Sequence, residues 1–235
     1  MPKFFVTQDK ISDNQIIIDS EDVTHISRVL RLEKGDNVTV CDGQGTDYDA
    51  QIDTIEPKKI LLNIISRQKS ETEPNIKVIL FQALPKASKM EYIIQKTTEL
   101  GISEIVPVKL SRCVVKIDNK KDEKKKIDRW QKIAESAAKQ SGRGIVPTVS
   151  EFMTINEVIE KSKEFDLFFV PYECEEQKTL KEILTSKSDV KSVGFVIGPE
   201  GGFDLSETEK LHSSGIRSEE RRVGKECRSR WSPDH

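Results

Sequence analysis

VGFVIGPEGGF, running from Val193 to Phe203, is an apolar run that breaks into a glycine-rich loop just before a helix. Val193, Phe195, Val196 and Ile197 form a short apolar stretch bounded by a turn signal, the pattern of a strand buried in a parallel sheet. Gly198, Gly201 and Gly202 free the backbone for conformations closed to other residues and let a ligand approach the main chain. Ser206 followed by Glu209 predicts a capping box for the next helix. Strand, glycine loop and helix in that order is the layout of a small-molecule site at the carboxyl end of a parallel sheet. A tight connection between two elements accounts for the same glycines.

Upstream of this stretch the pattern repeats. Lys77 to Leu84 reads as an apolar strand, and Ser88 to Leu100 as a helix with Met90, Ile93, Ile94 and Thr97 on one face and Gly101 at its end. Ile102 to Leu110 is a second strand. Ile127, Trp130, Ile133, Ala134, Ala137 and Ala138 mark a helix that stops at Ser141-Gly142-Arg143-Gly144, and Ile145 to Val149 can start another strand. Thr154 and Glu157 open a further helix, Asp166 to Val170 is a strand and Leu180 to Leu184 a short helix. Strands alternating with helices imply a mostly parallel sheet covered on both faces.

Residues 1 to about 70 read differently. Phe4–Val6, Ile16–Ile18, Asn37–Cys41, Tyr48–Ile55 and Lys59–Ile65 are short apolar or alternating runs separated by Gly35-Asp36, Asp42-Gly43-Gln44-Gly45 and Pro57, which predicts a small β-barrel. Ser20 to Leu32 interrupts them with Val23, Ile26, Val29 and Leu30 at helical spacing, so one face should pack on the barrel. His25, Arg28 and Arg31 lie three residues apart on another face, where they could grip RNA or simply be solvated. Ser66 to Asn75 is polar, ends at Pro74-Asn75 and reads as a linker.

Composition bounds the function. With 235 residues the chain holds one or two domains of roughly 100 to 200 residues each. It is 35% apolar and 33% charged, and no apolar run nears the roughly 18 residues that cross a bilayer. The N-terminus lacks a signal peptide, so the expected location is the cytoplasm. Cys41, Cys113, Cys174 and Cys227 have no paired spacing, which predicts reduced thiols and no metal site. A net charge of -2 excludes a strongly basic nucleic-acid binder but leaves room for a local patch. Lys86, Lys89, Lys96, Arg112, Lys116 and Arg143, at strand ends and helix starts, could form one; Arg143 in its glycine-flanked turn is the residue among them most suited to a specific contact.

Four stretches carry a resemblance: HISRVLRLEKGD at His25 to Asp36, IIQKTTELGISEIVPV at Ile93 to Val108, RWQKIAESAAKQSGRGIVPTV at Arg129 to Val149 and IGPEGGFDLSETE at Ile197 to Glu209. In this order they resemble the ribosomal RNA small subunit methyltransferase E family, enzymes of the knotted SPOUT class that methylate N3 of a uridine in 16S rRNA. The resemblance implies an α/β protein with an N-terminal PUA-like β-barrel for RNA at 1–70 and a SPOUT methyltransferase domain with a trefoil knot at 76–216. It also implies S-adenosylmethionine as methyl donor without a metal, and a homodimer whose site uses both subunits. Carried over by position, Ile197, Gly198, Gly201 and Gly202 would line the donor site, with Pro171, Tyr172 and Glu173 as a neighbouring loop. His25, Arg28, Arg31, Lys86 and Arg143 would face RNA. Glu200 would be a base, a positioning contact or a brace for its own loop.

The resemblance leads one to expect a further strand after Gly215-Ile216 and an arginine-containing segment closing over the donor. Residues 217–235 read RSEERRVGKECRSRWSPDH instead, with six Arg or Lys and no apolar periodicity. This stretch resembles a translated sequencing adapter and is expected to be a non-native tail on a truncated domain, leaving the knot incomplete and activity impaired. The alternative function is a noncatalytic RNA-binding protein. A phosphate-binding α/β enzyme is disfavoured, because the chain has neither GxGxxG nor a P-loop.

Overall fold

The computed structural model describes residues 2–115, 117, 119–172 and 180–220. The chain divides into two compact units. One comprises residues 1–74, 95–101 and 132–147; the other comprises 75–94, 102–131 and 148–235.

In the first unit, β1 (Lys3–Phe5), β2 (Gln15–Ile18), β3 (Asn37–Cys41), β4 (Thr46–Ile55) and β5 (Ile60–Lys69) form one curled sheet in the order β1-β3-β4-β5-β2. Only β1 and β3 run parallel; the other pairings are antiparallel. Alternation places Ile16, Ile18, Val38, Val40, Ala50, Ile52, Ile60 and Leu62 in one core, each at most 1% exposed. β5 runs four residues into the stretch that reads as a linker, because Thr46 to Asp49 of β4 pair with Ser66 to Lys69. Its polar composition reflects an outward-facing strand end. The linker also contains the buried Ser70.

The segment between β2 and β3 is helical but not uniform. A single turn, α1 (Asp22–Thr24), passes into a π-helix over His25–Val29. Val23 and Ile26 are buried as expected, but the wider turn rotates Val29 and Leu30 outward, to 64% and 38% exposure. The segment ends at Arg31, whose φ of 53° lies in the left-handed region.

In the second unit, β6 (Lys77–Ala83), β7 (Glu104–Lys109), β8 (Thr148–Val149), β9 (Met153–Thr154), β10 (Leu167–Tyr172), β11 (Ser192–Ile197) and β12 (Arg217–Glu220) build a parallel sheet in the order β12-β10-β11-β6-β7-β8, with β9 also pairing β7. β11 lies between β6 and β10 and reads as an apolar run without alternation, as expected of a strand in a sheet covered on both faces. Gly194 belongs to that packing: a Cβ there would lie 2.5 Å from the Phe168 ring. Residues 217–220, the first four of the stretch expected to fall outside the fold, run parallel to β10 in register with Phe169 to Tyr172.

Helices α2 (Lys89–Glu99), α3 (Lys120–Ser141), α4 (Ile155–Ser162), α5 (Leu180–Thr185) and α6 (Leu205–Ser213) fill the connections. α3 begins seven residues before the expected start, because the Asn119 side chain accepts the Asp122 N–H at 2.8 Å and caps the lysine-rich tract as helix. The strand expected from Ile145 is only two residues long, with Ile145 bridged to Gln44 instead. α4 carries the expected Thr154–Glu157 capping box. In α6 the box is Asp204–Glu207, not the expected Ser206–Glu209. The frame two residues earlier wins because Glu207 is buried at 4% exposure and has a tertiary partner in Ser111.

Candidate functional site

Three loops leave the carboxyl edge of the parallel sheet next to one another: residues 84–88 after β6, 110–113 after β7 and 198–204 after β11. This is where open α/β sheets bind ligands. The loop after β11 is formed by Gly198-Pro199-Glu200-Gly201-Gly202. Gly202 closes a turn onto the Pro199 carbonyl at 2.9 Å with a φ of +69°, which glycine adopts without strain. Gly198 is closely packed: a Cβ there would sit 3.0 Å from the buried Phe203 ring, tighter than an ordinary contact. Gly201 is exposed, and a methyl group added to it would come no closer than 3.8 Å to its nearest neighbour, Arg112.

Side chains strap this loop from two directions. Toward β6, the Glu200 carboxylate accepts the Lys86 N–H at 3.1 and 3.3 Å on its two oxygens, and Lys89 Nζ donates to it at 2.7 Å. Toward β7, Arg112 Nη1 donates to the Gly201 carbonyl at 3.0 Å while its Nε lies 3.8 Å from Asp204. Glu207 Oε1 accepts from the Ser111 N–H and hydroxyl at 2.8 and 2.9 Å, and its other oxygen accepts the Asp204 N–H. An anionic strap on one side and a cationic one on the other hold bare main chain at the rim.

The electrostatics follow from those contacts. The Lys89 hydrogen bond is the largest influence on Glu200. With the Glu200 and Lys86 N–H groups and the Lys89 charge it outweighs partial desolvation and holds the carboxyl at about 2. Asp204 is likewise lowered, chiefly by the Ser206 N–H and hydroxyl. Cys113, buried at the end of the loop after β7, has its thiol pushed up by burial.

The residues singled out in the sequence fall into distinct places. Ile197 ends β11, and Gly198, Gly201 and Gly202 lie in the loop that follows it. Pro171 and Tyr172 end the adjacent strand β10, opposite Glu219 and Glu220 of β12; Glu173 lies outside the described residues. Lys86 is exposed on the β6 loop. His25, Arg28 and Arg31 are exposed around the π-helix of the first unit, with the His25 ring set edge-on to Phe4 at 6.3 Å.

Arg143 departs from its expected role at an RNA surface. It is 4% exposed, and its guanidinium donates to both oxygens of Glu73 and to the Thr98 carbonyl at 3.3 Å. Glu73 Oε1 also accepts the Gly144 and Ile145 N–H groups at 2.8 and 3.0 Å. The glycine-flanked turn does give Arg143 a specific partner, but the partner is a carboxylate within the same unit. Sequence reasoning missed Glu73 because it sits in a polar stretch that reads as linker. It also placed Arg112 no closer to the site than a general basic surface and did not single out Ser111 or Glu207, since their link to the loop exists only through the sheet order.

Among the described residues, no group of three or more His, Cys, Asp or Glu side chains could hold a metal ion, and no helix is long and apolar enough to cross a membrane.

Two stretches of the chain have counterparts among known proteins. Residues 72–219 match the profile of an RNA methyltransferase domain, and residues 18–65 that of an RNA methyltransferase PUA domain. The chain is 34% identical to the ribosomal RNA small subunit methyltransferase E of Bacillus subtilis over 218 residues, 90% of this chain and 85% of that protein. It is 29% identical to the protein of the same name in Mesomycoplasma hyopneumoniae, covering 93% of this chain and 89% of that one. Among solved structures, a ribosomal RNA small subunit methyltransferase E from Neisseria gonorrhoeae bound to S-adenosylmethionine superposes with a TM-score of 0.81 at 26% identity, covering 95% of this chain and 91% of that one.

Proposed function

The chain belongs to the RNA methyltransferase family whose relatives are named ribosomal RNA small subunit methyltransferase E, and we propose that it transfers a methyl group from S-adenosylmethionine to N3 of a uridine in 16S rRNA. The observation that carries this reading is the strapped glycine loop at the carboxyl edge of the sheet, inside the region that matches the methyltransferase profile. The residues present fit the donor: Gly198, Gly201 and Gly202 offer main chain without intervening side chains just after Ile197, and a Cβ at Gly198 would press on Phe203 at 3.0 Å. Pro171 and Tyr172 from β10 form the neighbouring wall, and Glu173 extends the same proposal beyond the described residues. When bound, the donor supplies an electrophilic methyl group on a sulfonium.

The protein's part is alignment. Fixing the uridine N3 and the methyl in line removes most of the entropic cost of the displacement, and N3 must also lose its proton. Glu200 is a weak acceptor for that proton, because a carboxyl held at about 2 gives up little by staying ionised. His25, Arg28, Arg31 and Lys86 supply exposed cationic or aromatic contacts for RNA; we leave Arg143 out of that set, because its burial beside Glu73 argues against a direct RNA contact. A homodimer in the cytoplasm belongs to the same reading, as does the division into an RNA module at 1–70, a methyltransferase domain at 76–216 and a non-native stretch from 217. β12 occupies the place where the resemblance calls for a strand, and the segment beyond it is where the departure would be felt.

Calorimetric titration with S-adenosylmethionine tests the proposal on this chain and on a version given a family-like C-terminal segment. Weak binding by the first and tight binding by the second is the expected result. If the extended version binds no donor, the noncatalytic RNA-binding function takes its place.

A further inference from the structure

Ala87 has a φ of 54°, in the left-handed region where the Cβ of a non-glycine residue crowds the following carbonyl oxygen. Strain of this kind persists only where surrounding contacts over-determine it, and it gathers at functional sites. Here the contacts are identifiable. Lys86, the residue before Ala87, donates its N–H to both oxygens of Glu200, and Lys89, two residues after it, donates its ammonium to the same carboxylate. A single side chain from the glycine loop thus grips the strained turn on both sides of its left-handed residue. Lys86, Ala87, Ser88 and Lys89 are all exposed, so no burial of their side chains holds the turn in place. The opposite strap, from Arg112 to the Gly201 carbonyl, leaves Glu200 facing β6.

We propose that Glu200 is a positioning residue, a latch that locks the Lys86–Ala87 turn to the glycine loop so that the loops after β6 and β11 form one preassembled wall of the donor pocket. Only the identity of the pocket's ligand rests on the donor-site reading; the latch itself is a relationship between two loops. It also assigns Lys86 its place: with its main chain held by Glu200, its exposed side chain starts from a fixed point at the rim. Glu200 then carries no proton during the reaction and touches the donor through the loop it shapes.

The full 235-residue chain, labelled for NMR, tests the latch with two readouts: hydrogen exchange of the Lys86 amide, and donor affinity from shifts during titration with S-adenosylmethionine to millimolar concentration. Removing a charged acceptor through Glu200→Ala should speed Lys86 exchange and weaken donor binding, each by roughly tenfold to a hundredfold. Glu200→Gln, which keeps an oxygen for the N–H but loses the charge, should fall between wild type and Glu200→Ala in both. Ala87→Val, which puts a β-branched residue at the left-handed position without touching Glu200, should also speed Lys86 exchange, whereas Ala87→Gly should not. The latch is overturned if Glu200→Ala leaves Lys86 exchange at the wild-type rate. The positioning role is overturned if Glu200→Gln retains wild-type exchange and donor affinity while methyl transfer to 16S rRNA, assayed in the version with a family-like C-terminal segment, is abolished, the result expected of a base. If neither this chain nor the version with a family-like C-terminal segment shows donor-induced shifts, the donor reading is removed, and the exchange rates decide the latch alone.

Discussion

Arg143 and Glu73, 70 residues apart in the chain, form a buried ion pair with Arg143 Nη2 2.5 Å from Glu73 Oε2. Burial alone would raise the Glu73 carboxyl, but the Arg143 hydrogen bond, the Ile145 N–H, the Arg143 charge and the Gly144 N–H together hold it below 4.5. The pair fixes the end of the first unit's sheet segment to the turn after α3. Gly144 completes the joint: its carbonyl accepts from the Gly45 N–H at 3.0 Å, and a Cβ on it would lie 2.1 Å from the Ser70 hydroxyl.

Breaking one half of a buried pair leaves an uncompensated charge, so Arg143→Met should destabilise the protein by about 3 to 5 kcal/mol in urea unfolding. Arg143→Met with Glu73→Gln should recover at least about 1 kcal/mol of that loss, because the remaining group no longer carries a charge. A double variant as unstable as the single one would refute the charge-based account.

RNA affinity should separate Arg143 from the exposed arginines. Arg28→Ala and Arg31→Ala should each lower the slope of log affinity against log salt by about 1, the signature of one lost phosphate contact. Arg143→Lys should leave the slope unchanged even though it weakens the fold. Filter binding to a 16S rRNA fragment at several salt concentrations measures all three.

Glu200 provides a pH test. Its folded pKa of about 2 lies below the ordinary 4.5, so it contributes stability that is fully present above 4.5 and is lost as the pH falls toward 2. Wild type should therefore lose stability more steeply than Glu200→Gln across that window, and the two should run parallel above it. Urea midpoints collected from about pH 2 to about pH 6 give the comparison; equal slopes throughout would count against the Lys89–Glu200 contact.

Two glycines should respond in opposite ways to a methyl group. Gly194→Ala places a Cβ 2.5 Å from the Phe168 ring in the middle of the sheet and should cost about 1 to 3 kcal/mol by overpacking. Gly201→Ala meets only Arg112 at 3.8 Å and should shift stability by no more than about 0.5 kcal/mol, with its effect confined to donor affinity. Thermal unfolding distinguishes them.

Thiol mapping checks the core chemistry. Cys41 is buried and its thiol is pushed up to about 12, first by desolvation, and Cys113 is raised for the same leading reason. Neither should be alkylated by iodoacetamide in the folded protein at about pH 8, and both should react fully in urea. Peptide mass mapping reads the two positions directly.

How much of this was legible beforehand depended on range. The strand Val193–Ile197, the glycine loop and the alternation of strands and helices follow from local periodicity, and each stands in the sheet as read. What the sequence could not display was partnership across the sheet. Glu207 caps α6 in a different frame from the one expected because Ser111, on another strand's loop, is its partner. Glu73 sits in a polar stretch and acquires its meaning from Arg143. The π-helix at His25–Val29 is a third kind of miss: its residues have ordinary helical spacing, and the widened turn that exposes Val29 is a backbone property that spacing does not encode.

The sheet order also sets a timetable. β11 inserts between β6 and β10, so Ser192 comes to lie beside Lys77 only after everything between them has been translated. At ribosomal speeds that interval is on the order of ten seconds. Throughout it, the edge of β6 that β11 will occupy presents unpaired N–H and C=O groups. The nascent chain therefore has a prolonged period in which the future centre of its sheet is open to the wrong partner, and a need for chaperone cover should be greatest just before the glycine loop emerges.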